Sequence, residues 1–88
     1  MKDILCEKDA RVVEEILTDE LGVQRDQLTP EARLMDDLGA DSLTLVEITM
    51  ALEDRFSVAI PDERWETVRT VGELHEALAE LLHARQRP

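Results

Sequence analysis

Apolar residues in this chain recur three or four positions apart and nowhere settle into the two-residue alternation of a strand. Val13, Ile16, Leu17 and Leu21 share one helical face, and Leu74, Leu78, Leu81 and Leu82 share another. That spacing constrains the fold to all-α. Helices are expected over about residues 9–21, 42–56 and 62–68, with a fourth opening at Thr70. Gly22 fits the stop of the first helix and Asp41 the cap of the second. Pro61 breaks the Val58-Ala59-Ile60 segment ahead of the short third helix. Thr70-Val71-Gly72-Glu73 has the form of a capping box. The connection from Gly22 to Asp41 is long for two bundled helices, and Thr29-Pro30-Glu31 predicts a turn of helix within it. Val23, Leu28, Leu34 and Leu38 are placed to pin it down. The expected architecture is a small four-helix bundle with a long loop between its first and second helices and a short third helix. Residues 9–84 form its single domain, behind a lead-in over 1–8 and ahead of a tail over 85–88.

Charge narrows the partners. The 88 residues carry 21 Asp and Glu against 10 Lys and Arg, a formal net charge of −11. Such a chain is repelled by phosphate backbones and anionic lipid, so neither nucleic acid nor membrane insertion is expected. Hydrophobic residues at 43% suffice for a packed, aliphatic core, with Trp65 and Phe56 its only aromatics. No apolar run exceeds three residues, so a transmembrane span or secretory leader is not expected and the predicted location is cytoplasmic. The single Cys6 excludes an internal disulfide framework and reads as a plain thiol. A monomer handled by other proteins is the expectation.

The second helix is apolar on two sides. On a wheel of 100° per residue, Leu45, Ile48, Leu52 and Phe56 fall in one sector. Leu43, Val46 and Met50 fall nearly opposite, beside Glu47, Glu53 and Asp54. The second stripe either contacts the long loop or meets a partner. From Asp36 to Glu66, nine acids stand against two bases, a net −7. Together with Asp62 and Glu63, the stripe reads as a surface steered toward basic enzymes.

Asp37-Leu38-Gly39-Ala40-Asp41-Ser42-Leu43 closes the loop and opens that helix. Ser42 stands at its first position, where free backbone N–H groups favour a phosphate, although capping explains most serines at helix starts. At this point the sequence resembles the acyl carrier proteins. The match runs from about Val12 to the end of the fourth helix. It rests on Leu21-Gly22-Val23, the block Asp36 to Leu43, Val46-Glu47, Met50-Ala51-Leu52-Glu53, Phe56, Ile60-Pro61-Asp62-Glu63 and Thr70-Val71. It is closest to free-standing carriers of the bacterial type.

The resemblance implies that Ser42 receives 4′-phosphopantetheine from coenzyme A through a Mg²⁺-dependent phosphopantetheinyl transferase, with Asp41 and Leu43 positioning that enzyme. The arm's thiol would carry acyl groups between acyl-transfer, ketosynthase and related lipid-synthesis enzymes. Val46, Glu47, Met50, Glu53, Asp54, Asp62 and Glu63 match the family's docking surface. Leu45, Ile48, Leu52, Phe56 and Ile60 are the implied lining of an acyl cavity. The chain departs from the family at Thr44, where an acid is frequent, and at Leu45, where a small polar residue is usual. Arg55 and Arg64 interrupt the acidic run, and Trp65 is a bulky residue in a plainer helix. These departures leave a specialised pathway as open as housekeeping fatty-acid synthesis.

Other readings fare worse. A hydrolase triad of Ser42, Asp41 and His75 lacks the strand and the flanking glycines of a nucleophile elbow, so the chain is not expected to be an enzyme. A calcium loop starting at Asp37 fails at Ser42 and Ile48. His75 and His83 are about 12 Å apart along one helix, too far to share a metal, and no metal site is expected. An unmodified helical interaction module would not need Ser42. A peptidyl or aryl carrier usually has a glycine-containing motif before its serine.

Overall fold

A computed structural model of the chain describes residues 5–86. Helix α1 spans Glu7–Leu21, α2 Ser42–Phe56, α3 Asp62–Glu66 and α4 Val71–Gln86. Helix α1 begins two residues before the expected Asp9, with Glu7 and Asp9 in the first turn where carboxylates suit the positive end of the helix. It ends at Gly22, whose N–H bonds the Thr18 carbonyl. Helix α2 has the expected limits. Helix α3 stops short of Val68, because the Thr67 hydroxyl and N–H both turn back onto the Arg64 carbonyl. The start of α4 is the expected reciprocal cap: Thr70 Oγ1 accepts from the Glu73 N–H, and Glu73 Oε1 accepts from the Thr70 N–H, each at 3.1 Å.

The long connection departs from expectation. Its helical turn lies at Arg25–Gln27, where the Gln27 side chain accepts from the Gln24 N–H at 2.8 Å. Thr29-Pro30-Glu31 forms only a turn closed by Ala32 N–H onto the Thr29 carbonyl. Beyond it the backbone groups are taken by a distant segment. Gly72 N–H bonds the Pro30 carbonyl, Val71 N–H the Ala32 carbonyl, and Leu34 N–H the Arg69 carbonyl, around an isolated bridge between Arg33 and Thr70. Drawn to that segment, the backbone around residues 30–34 forms a turn and a bridge in place of a helix. The two strips lie so close that a side chain on Gly72 would meet the Pro30 carbonyl oxygen at 3.1 Å.

The core joins Val13, Ile16 and Leu17 of α1 to Ile48 and Leu52 of α2 and to Leu74, Leu78 and Leu82 of α4. Leu34 and Leu38 of the connection are buried in it, while Val23 and Leu28 pack half-buried at its edge. No polar or charged residue is fully buried among the described residues. An ion pair from Arg64 to Glu80 ties α3 to α4.

His75 is half-buried on α4, and its Nε2 meets no hydrogen-bond partner among the described residues. Burial pushes the imidazole below its ordinary 6.5, opposed by the charge of Glu14. The unfolded chain therefore takes up a proton near pH 6.5 that the folded chain resists, and stability falls as pH drops below that value. Thermal melts between pH 7.5 and 5 are expected to show this loss, and His75→Leu to flatten it. Equal slopes in the two proteins would remove His75 as the cause.

Candidate functional site

The approach to Ser42 is held by local bonds. Asp37 turns its carboxylate onto the Arg33 N–H at 2.8 Å, and Ala40 is anchored by its N–H on the Leu34 carbonyl. Between them Gly39 takes φ +77°, a left-handed conformation that costs an ordinary residue about 1–2 kcal/mol. The chain then straightens at Asp41, the N-cap of α2. Asp41 Oδ1 accepts from both the N–H and the hydroxyl of Thr44, at 2.8 and 2.9 Å. Those bonds hold the Asp41 carboxyl below its usual range. The Thr44 hydroxyl thus doubles the cap.

Ser42 is the first residue of α2 and is exposed. The first bond from a helical amide back to the preceding cap is that of Leu45 N–H to the Asp41 carbonyl. The N–H groups of Leu43 and Thr44 before it turn onto the Asp41 carboxylate, and the helix end sets a positive dipole beside the Ser42 hydroxyl. An exposed hydroxyl at such a terminus can accept a bulky phosphodiester without displacing any core side chain.

Along α2 the two stripes separate as the wheel requires. Leu43, Val46 and Met50 are 67%, 54% and 63% exposed, whereas Ile48 and Leu52 are wholly buried. Met35, on the connection, adds a further exposed apolar side chain. Helical periodicity carries no information about that loop residue. Glu47, Asp54, Asp62 and Glu63 are exposed as well. Glu53 is half-buried, and its Oε2 accepts from the Ile60 N–H at 2.8 Å, fastening the α2–α3 connection.

Beside α2 lies a partly open cleft of about 670 Å³. Leu34, Met35, Leu45, Trp65 and Val68 give it apolar walls, with Arg33, Asp36, Glu66, Arg69, Thr70 and Glu73 completing the lining. Leu45 is one turn from Ser42, about 4.5 Å along the axis. Of the residues expected to line an acyl cavity, Leu45 borders this cleft. Ile48, Leu52 and Ile60 belong to the buried core, and Phe56 packs half-buried against it. Met35, Trp65 and Val68 were not among the expected lining residues, although the bulk of Trp65 in a short helix was a usable signal.

Known proteins resemble this arrangement. A family model described as the phosphopantetheine attachment site matches residues 11–82. An acyl carrier protein of Syntrophobacter fumaroxidans is 52% identical over 65 residues, covering 74% of this chain and 80% of that protein. Among solved structures, the thermally stable acyl carrier protein of Enterococcus faecalis superimposes with a TM-score of 0.72 at 29% identity. That match covers 88% of this chain and 99% of the other.

Proposed function

This chain belongs to the phosphopantetheine-attachment family as an acyl carrier protein, and from that premise we propose that Ser42 is the residue that bears its 4′-phosphopantetheine. The observation that carries the assignment is the exposed hydroxyl at the N-terminus of α2, presented by the Gly39–Asp41 turn. When bound, the prosthetic group supplies a terminal thiol that holds acyl groups as thioesters. The protein's own residues do the rest. Asp41 and Thr44 fix the first turn of α2 and so present Ser42 to an approaching transferase from a held backbone. The positive end of the α2 dipole offsets the charge of a phosphodiester on Ser42.

Docking of partner enzymes falls to Leu43, Val46 and Met50, ringed by Glu47, Asp54, Asp62 and Glu63. A small apolar contact inside an acidic field suits brief, fast encounters with basic patches. These encounters serve a tethered cargo, because an intermediate held on an arm reaches each active site at high effective concentration. Glu53 contributes its charge to the same field while its carboxylate is engaged by Ile60. The partners are a phosphopantetheinyl transferase and the acyl-transfer and condensing enzymes of a lipid or polyketide-type synthesis, working in the cytoplasm. The apolar cleft beside Leu45 is the place where the tethered acyl chain folds back.

The test of this reading is intact mass after incubation with coenzyme A and a broad-specificity transferase. A gain of one phosphopantetheine is expected, and no gain under conditions that load another carrier would refute it. Glu47→Lys is expected to slow acyl transfer by a partner about tenfold at low salt, with the difference shrinking as salt rises. Its melting temperature should stay near that of the parent. Unchanged transfer kinetics would take Glu47 off the docking surface.

A further inference from the structure

Among the described residues, sulfur is confined to the surface. Of the three methionines, Met1 lies outside the described residues, and Met35 and Met50 are 53% and 63% exposed. Cys6 is exposed as well. The fully buried side chains among the described residues are Ala, Val, Leu and Ile alone. Methionine is ordinarily a core residue, and a sulfoxide formed in a core disrupts its packing. Here an oxidant reaches both described thioethers without entering the packing that holds the bundle together.

Met50 and Met35 differ in their settings. Met50 stands one turn beyond Val46 and two beyond Leu43, so its thioether closes the exposed apolar stripe of α2. Glu47 and Asp54, exposed and one turn to either side of it, border the same sulfur with carboxylates. Met35 belongs to the connection and lies off that helix. Leu43 and Val46 are inert to peroxide, so Met50 is the one member of the stripe whose polarity a mild oxidant can change. The acidic field around it repels anionic oxidants and leaves neutral hydrogen peroxide free to approach.

We propose that Met50 is a reversible oxidation site through which peroxide suspends the docking of partner enzymes. The inference rests on the reading of the α2 stripe as the docking face. One hydrogen peroxide is consumed per site. The thioether sulfur attacks one peroxide oxygen, the O–O bond breaks and an S–O bond forms. The second oxygen leaves as water with both protons, and the two electrons it gains are those the sulfur loses. A methionine sulfoxide reductase reverses the step, with a dithiol giving two electrons and two protons and the oxygen leaving as water. In the oxidised form a strong acceptor stands in the apolar stripe. Docking must strip it of water, while Glu47 and Asp54 already claim the cations of a partner. Met35 sulfoxide leaves the stripe as it was.

The experiment uses the unloaded protein, which has no arm thiol, in a Cys6→Ser background, before and after hydrogen peroxide. Intact mass counts the oxygens gained, and peptide mapping assigns them. The readout is loading from coenzyme A by a broad-specificity transferase, with KM and kcat for the carrier separated. The expected result is a KM raised about tenfold, the effect of one polar group desolvated without a partner, at a nearly constant kcat. The melting temperature should not move. Methionine sulfoxide reductase with dithiothreitol should restore the KM, and dithiothreitol alone should not. Compared with its own untreated form, Met50→Leu should lose the response to peroxide, and Met35→Leu should keep it. An unchanged KM once mapping shows Met50 oxidised would overturn the proposal, as would a response that persists in Met50→Leu. A melting temperature that fell with the KM response would move the effect to the fold and overturn it too. Failure of the untreated protein to load is a separate result: it refutes the attachment reading and takes the proposal with it.

Discussion

Replacing Ser42 with alanine is expected to abolish loading by the transferase altogether, while the domain melts as before. The two halves of that expectation have separate causes. Alanine has no oxygen to bond to phosphorus, and no neighbouring hydroxyl can substitute without moving the backbone, since that of Thr44 is already donated to Asp41. Stability should be spared because the cap of α2 runs from Asp41 to Thr44 and leaves Ser42 out. An exposed first helical position away from any core contact shifts stability by only about ±0.5 kcal/mol. Intact mass and a thermal melt on the same sample test both halves. A mutant that still gained the arm would place the attachment elsewhere, and a mutant that unfolded would give Ser42 a structural role that its exposure does not suggest.

The second large effect concerns the two sides of α2. Leu52→Ala is expected to cost about 2–5 kcal/mol, the range for a buried leucine that leaves a cavity. A domain of this length holds only about 4–13 kcal/mol in total, so much of its margin would go. Leu52 is wholly buried, whereas Met50, two residues before it, is 63% exposed. Met50→Ala should therefore change stability by no more than about 0.5 kcal/mol and slow acyl transfer to a partner instead. Urea unfolding of both variants, beside their transfer rates, separates a face that packs from a face that docks. Comparable destabilisation by the two changes would show that the Leu43, Val46 and Met50 stripe is covered by the domain itself.

Much of this was legible in the sequence because it is local. The limits of α2, its cap at Asp41 and the Thr70–Glu73 box each depend on residues within one turn of each other, and helical spacing reports them directly. The exposed stripe was legible for the same reason. The place of Ser42, exposed at the start of α2, was legible from the Asp41 cap beside it, whereas its role as attachment residue rests on the resemblance of Asp36 to Leu43 and stays a proposal. The connection was not legible where its partner is remote. Thr29-Pro30-Glu31 has the local chemistry of a helix start, and only the strip from Arg69 to Gly72 decides that the backbone pairs with it instead. The cleft was hidden likewise. A wheel groups Leu45, Ile48, Leu52 and Phe56 but does not say which of them faces a gap, because that depends on where α3 lies. Leu45 borders the gap, and Ile48 and Leu52 sit behind it in the core.

The pairing of residues 30–34 with 69–72 divides the cleft into a stiff wall and a compliant one. Leu34 stands on the stitched side, with its N–H bound across the seam to the Arg69 carbonyl. Trp65 stands on five residues of helix strung between Pro61 and Thr67 and tied to α4 by the Arg64–Glu80 pair. A short helix with a solvent-facing ion pair yields at lower free energy than a segment fastened by backbone bonds. If the cleft takes the acyl chain as proposed, widening it for a longer cargo would fall to α3, and salt that loosens the Arg64–Glu80 pair would make that easier. On the proposed reading, the length of chain sheltered beside Leu45 would depend more on how far this short helix yields than on the volume enclosed at rest.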